Sequence, residues 1–112
     1  MNIVILQGTI SSDPVAKDLG AGMRAMSFEM STVIDDGTTV SVPVVWFDPD
    51  PVTFDEGDKV TVIGTVRRRF FRAGGMTVPR TDVVAEAVAS DPKRLADALA
   101  ACAARVAGLA VG

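Results

Sequence analysis

Val40, Val42, Val44 and Trp46 stand two residues apart in an unbroken apolar file. Such a file can bury its apolar side chains on one face only if the chain is extended, because strand side chains alternate between faces. The same period of two recurs elsewhere. Phe28, Met30 and Thr32 share one face of a second run, and Val60, Val62, Gly64 and Val66 share one face of another. Five such runs can be drawn, at about residues 2–10, 24–34, 38–47, 59–71 and 76–88. Turn residues bound each of them: Ser11-Ser12-Asp13-Pro14, Gly20-Ala21-Gly22, Asp35-Asp36-Gly37 and Ala73-Gly74-Gly75. Two prolines, Pro49 and Pro51, disfavour a regular helix in the long connection between the third and fourth runs. Five short strands with one long connection suit a mostly β fold, a five-stranded Greek-key barrel of the OB type; a small sandwich fits the spacing as well. The expected organisation is an OB-fold domain over residues 1–89 followed by a C-terminal helix over 90–112.

The period changes after Ser90. Ser90-Asp91-Pro92 reads as a helix start, with a capping side chain and proline in the first turn. Alanine-rich sequence then predicts a helix from Pro92 to about Ala107, ending before Gly108. Leu95, Leu99, Cys102, Val106 and Leu109 form a seam at steps of four and three. A helix this short is marginal in water by itself, so it is expected to close the barrel surface or to support self-association.

Residue types exclude several chemistries. The chain of 112 residues has no histidine and no tyrosine, and its one cysteine is Cys102. The commonest general base, the commonest zinc ligand and any internal disulfide are therefore absent. The acidic pairs Asp35-Asp36 and Asp48-Pro49-Asp50 sit among turn residues, where short polar side chains serve the backbone. No catalytic residue, metal site or cofactor is expected, and the chain reads as a non-enzyme. No apolar run spans a bilayer and no basic leader precedes Met1-Asn2-Ile3-Val4, so the expected location is cytoplasmic with no membrane partner.

Charge is unevenly spread. Residues 1–60 hold ten acids and three bases, a balance of −7; residues 61–112 hold four acids and eight bases, a balance of +4. Most of the excess lies in one stretch, VTVIGTVRRRFFRAGG, Val60 to Gly75. Alternation puts Thr61, Ile63, Thr65, Arg67, Arg69 and Phe71 on the face opposite the core. Arg68, Phe70 and Arg72 point the other way, and Phe70 is expected to cap the barrel. Exposed arginines beside an aromatic ring suit a sugar-phosphate backbone with unstacked bases. A solvated edge strand protected by its charges is the plainer reading.

The segments NIVILQGTISSDPVAK, MSFEMST, PVVWF, GDKVTVIGTVRRRFF and TDVVAE, in that order, resemble the bacterial single-stranded DNA-binding protein family from Asn2 to about Glu86. The resemblance implies an OB-fold that assembles as a homo-oligomer, dimer or tetramer, and coats single-stranded DNA during replication and repair without sequence preference. It places Phe71 on a stacking aromatic position, Phe47 on a second, and Lys17, Arg67 and Arg69 on basic positions of the binding surface. Trp46 falls on an aliphatic position and is expected in the core. The departures are specific. Ser41-Val42-Pro43 replaces an aromatic, a histidine and a basic residue, and Pro43 implies that the strand is at an edge or bulged there. The hairpin at Asp35-Asp36-Gly37 is short and acidic. The acidic tip through which the family recruits partners is not expected here. These losses keep open an alternative, an OB-fold assembly or protein-interaction subunit that no longer binds nucleic acid.

Overall fold

A computed structural model describes the chain from Met1 to Val111, with side chains described through Gly108; the Leu109 end of the helical seam lies outside the described residues. It contains β1 (Val4–Ile10), β2 (Val15–Gly20), β3 (Met23–Val33), β4 (Thr39–Phe47), β5 (Lys59–Ala73), β6 (Met76–Ala89) and α1 (Pro92–Val111). The strands form one sheet in the order β1-β5-β6-β4-β3-β2, and a further pairing of β1 with β3 closes it into a barrel. All pairings are antiparallel except β4 with β6. This is the OB-fold barrel expected from the period-two runs, with its C-terminal helix.

The core is what the alternation required. Ile10, Phe28, Met30, Val44, Trp46, Val60, Val62, Val83, Ala85 and Val88 converge inside the barrel. Phe54 joins them from the irregular connection between β4 and β5, its ring centroid 6.3 Å from that of Trp46. The connection contains no helix, as its prolines demanded. Pro43 lies one residue before the parallel ladder to β6 begins at Val44, so β4 has a ladder partner only on its β3 side there. Glu29, opposite Pro43, gives its N–H to Ser12 Oγ and its carbonyl to the Ser11 N–H, so the missing donor breaks no bond to β3.

Two elements differ from expectation. The first run ends at Ile10 as expected, but the segment after it is a sixth strand and not a loop: extended chain resumes at Val15, and β1 and β2 pair with β3 in succession. Pro14 interrupts the strand, but Ser11 N–H bonds the Glu29 carbonyl at 2.8 Å and Ser12 Oγ accepts the Glu29 N–H at 2.8 Å. These bonds carry the pairing across the break. Every residue of β2 is exposed, so it has no apolar alternation to reveal it. The helix, for its part, runs through Gly108 instead of stopping before it. Its start is as expected: Asp91 Oδ1 accepts the Arg94 N–H at 2.9 Å, satisfying a first-turn donor.

One bulge decides where the helix goes. Ile63 faces Ala87 and Gly64 faces Ala85, so Glu86 has no partner on β5 and the alternation of β6 reverses there. Val83 and Ala85 face the core below the reversal, and Val88 faces it above. Thr61, Ile63, Ala87 and Ala89 consequently make an apolar outer patch. Of these, Thr61, Ile63 and Ala89 are buried without belonging to the core cluster. Among the described residues, α1 packs against strands β5 and β6. Cys102 is buried, Leu95 and Ala98 are half-buried, and Arg105 pairs with Glu86 at 2.7 Å. The seam is therefore split: Leu99 and Val106 remain exposed while Leu95 and Cys102 dock.

Gly8 sits beside Thr9, where β1 is paired with both β5 and β3, and a Cβ there would overlap the carbonyl oxygen of Ser31. Closure of the barrel thus depends on glycine at this crossing. Gly8→Ala should lower stability by about 1–3 kcal/mol, the usual cost of overpacking, measurable as a reduced denaturant midpoint with an unchanged slope.

Candidate nucleic-acid interface

Residues directly opposed on neighbouring strands share a face, so the register assembles the outer surface row by row. Lys17 opposes Ala25, and Ala25 opposes Phe47. Val15, Ser27, Val45, Val84 and Thr65 make the next row. Glu29 opposes Pro43, and Arg67 opposes Asp82. Arg69 opposes Arg80, and Phe71 opposes Val78. All five residues singled out from the sequence, Lys17, Phe47, Arg67, Arg69 and Phe71, therefore lie on one face of the sheet. Trp46 lies on the other and is buried, as expected.

The electrostatics of this face centre on a residue to which sequence reasoning assigned no role. Asp82 is 1% exposed. Its Oδ1 accepts from Arg67 Nε at 3.0 Å and its Oδ2 from Arg67 Nη2 at 2.9 Å, a bidentate pair. Arg69 Nη2 stands 3.3 Å from Oδ2. The Arg67 hydrogen bonds hold the Asp82 carboxyl below the usual carboxylate range against the opposing effect of burial; the charges of Arg67, Arg69 and Arg80 act in the same direction. The same hydrogen bonds raise Arg67 further. Adjacent arginines would otherwise repel, and a resident carboxylate relieves this. Their repulsion does not by itself require a polyanion.

Held by Asp82, Arg67 places its guanidinium carbon 5.9 Å from the centroid of the Phe47 ring. Phe47 is 39% exposed and so presents ring surface outward instead of closing the barrel end. Next to this pair, a groove of about 300 Å³ runs between the Ser12–Val15 turn and Arg69 with Arg80, floored by β3 and β4. Arg80 Nη2 lies 3.7 Å from Glu29 Oε1, and the Ser41 hydroxyl donates to Glu29 Oε2 at 3.2 Å. The face thus carries Lys17, Arg67, Arg69 and Arg80 against Asp82, Glu29 and the groove-lining Asp13, a positive excess of one on a chain whose net charge is −3. Asp82, Arg80 and Glu29 are the members that sequence reasoning missed. The one available signal was an acid two residues from an arginine in the run PRTDVV, inside an otherwise apolar strand.

Phe71 is not brought next to Phe47. Beyond Gly64, β1 no longer flanks β5, and β4 meets β6 only at Val83–Ala85. From Arg67–Asp82 to Ala73–Met76 the chain is therefore a two-stranded arm, closed by Gly74 and Gly75 with φ of 58° and 80°, as a tight hairpin needs. Phe71 lies four residues along it from Arg67, about 13 Å. Phe70 caps nothing: it is 64% exposed, because the arm has left the barrel before that residue is reached.

No family model matches the sequence, and no curated protein matches it. Solved structures do. The N-terminal domain of PriB from Thermoanaerobacter tencongensis, described as dimeric, is 16% identical over 81% of this chain and 97% of that one, with a TM-score of 0.63. The Plasmodium falciparum SSB in complex with single-stranded DNA is 19% identical over 76% of this chain and 86% of that one, with a TM-score of 0.67. The OB-fold implied by the ordered strand motifs is thus matched in three dimensions by the SSB and PriB domains.

Proposed function

We propose that the protein binds single-stranded DNA without sequence preference through the outer face of its barrel and arm. The observation that carries this reading is the register that puts Lys17, Phe47, Arg67, Arg69 and Phe71 on one face, with a guanidinium over an exposed ring. Aromatic faces accept any base, and cations that follow the backbone are blind to sequence. The complex of a similarly folded protein with single-stranded DNA supports the same use of the fold. Assembly as a homo-oligomer fits this role, since copies side by side lengthen the tract that can be covered.

The test is titration of a labelled oligo-dT with the protein, followed by fluorescence anisotropy at several salt concentrations. Affinity should fall on a log-log plot with a slope of about −0.7 per phosphate neutralised. Phe47→Ala and Phe71→Ala should each weaken binding by about 1–3 kcal/mol, the loss of one stacked base. Glu29→Gln should strengthen it, because Glu29 competes with phosphate for Arg80. The expected change is a salt slope steeper by about 0.7, with folding stability altered by no more than about 1 kcal/mol.

A second reading rests on one specific observation, the neutralisation of Arg67 and Arg69 by Asp82. In that reading the face is a dock for a protein partner in an OB-fold assembly subunit. Undetectable oligo-dT binding at low salt would favour it.

A further inference from the structure

The arm has two faces, and among the described residues its arginines without an acid partner are on the back one. On the front face Arg67 and Arg69 share Asp82, and Arg80 lies beside Glu29. Val66, Arg68, Phe70 and Arg72 alternate to the back, facing Val83, Thr81, Pro79 and Thr77 across the ladder. Among the described residues, neither Arg68 nor Arg72 has a carboxylate within ion-pair distance. Phe70 is the most exposed of the aromatic side chains, and the Arg68 guanidinium carbon lies 5.6 Å from its ring centroid. Val66, 40% exposed, extends the apolar surface toward the barrel, where Asn2 holds its backbone through both N–H and carbonyl.

We infer that this back face is a second seat for the same single strand, so that nucleic acid passes over both sides of the arm. The inference rests on the proposed function and extends it to residues outside the front face. Its chemistry repeats that of the front, a guanidinium lying over a ring, with one difference that favours a polyanion. The front arginines already have a resident carboxylate to satisfy them. The back arginines have none among the described residues, and phosphate is the complementary charge. Exposed lysine or arginine alone would serve to keep a free ribbon from pairing with another chain. A ring exposed to this extent works against that purpose. Seven rungs of ladder from Arg67–Asp82 to Ala73–Met76 give an arm of about 20 Å, narrow enough for a flexible strand to reach both faces around its tip.

The experiment compares Phe70→Ala and Arg68→Gln with the unaltered protein on two probes, an oligo-dT of about 8 nucleotides and one of about 25, within and beyond the span of a single OB-fold face. Both side chains are exposed, so melting temperature should stay constant and report that folding is intact. The long probe should lose about tenfold in affinity, in line with one stacked base, and several times more than the short one. The number of nucleotides covered per protomer should fall. Unchanged affinity for both probes would overturn the second seat while leaving the front-face reading in place. Equal losses on both probes would also overturn it, by making the back residues part of the primary path. A drop in oligomer mass with unchanged DNA affinity would assign the face to contact between copies instead. Absence of binding by the unaltered protein would reject the proposed function, and this inference with it.

Discussion

Ending the chain at Ser90 should lower the melting temperature by at least about 12 °C for a domain of this size. Removing α1 uncovers Thr61, Ile63, Ala87 and Ala89, the outer patch created when the Glu86 bulge reverses the alternation of β6. Ile63 is 2% exposed in the intact protein although it lies outside the barrel core. Its burial, with that of Cys102 and the covered part of Leu95, corresponds to about 3–5 kcal/mol. A total stability of about 5–15 kcal/mol is typical of such domains, so the loss is a large fraction. The Arg105–Glu86 pair contributes little to this figure, because both groups are nearly half-exposed. A thermal scan of the shortened chain, with a dye that reports exposed apolar surface, makes the measurement. Unchanged melting and no dye binding would mean that the helix is dispensable to the barrel.

Asp82→Asn should act on stability and on the salt dependence of binding in opposite senses. The substitution keeps the shape of the side chain but removes the charge that Arg67 and Arg69 share. Loss of charge-assisted hydrogen bonds at a buried site costs about 1.5–3 kcal/mol. Binding gains cationic character at the same time, so the salt slope should steepen by about 0.7. The pH dependence follows from the direction of the shift. Asp82 is depressed in the folded protein, so its stabilisation is present above the unfolded carboxylate value of about 4 and is lost as pH falls through the lower folded value. An acid titration of stability should therefore be flatter below about pH 4 in the Asn variant than in the unaltered protein. Parallel acid limbs would show that Asp82 does not carry the effect.

The two variants also separate the barrel from its proposed binding surface. Chain truncation removes apolar cover at the lower part of β5, whereas Asp82→Asn disturbs the base of the arm on the same face. Oligo-dT binding by the truncated protein, at a temperature where it stays folded, should persist, since Lys17, Phe47, Arg67, Arg69 and Phe71 lie on strands that α1 does not supply.

Much of this molecule is encoded within a few residues at a time. Period-two alternation through Val40–Trp46 and Val60–Val66 identifies the buried faces, since a strand cannot present neighbours to the same side. Gly37, Gly74 and Gly75 mark turns because those backbones have positive φ. Asp91 and Pro92 mark the helix start through bonding that spans three residues. The five proposed interface residues fall on one face by the same local parity. What only the tertiary structure decided depends on register between segments far apart in sequence. The fully exposed β2 has no apolar pattern of its own and exists by pairing with β3. The skipped Glu86 reverses a parity that sequence alone would continue, and thereby supplies the patch on which α1 docks. Asp82 becomes the partner of Arg67 and Arg69 because a hairpin turning at Gly74-Gly75 sets it opposite Arg67; a slip of one residue would put it on the other face. The same register carries β5 and β6 past the last β4–β6 pair at Val83 and leaves Phe70 with no core to cap.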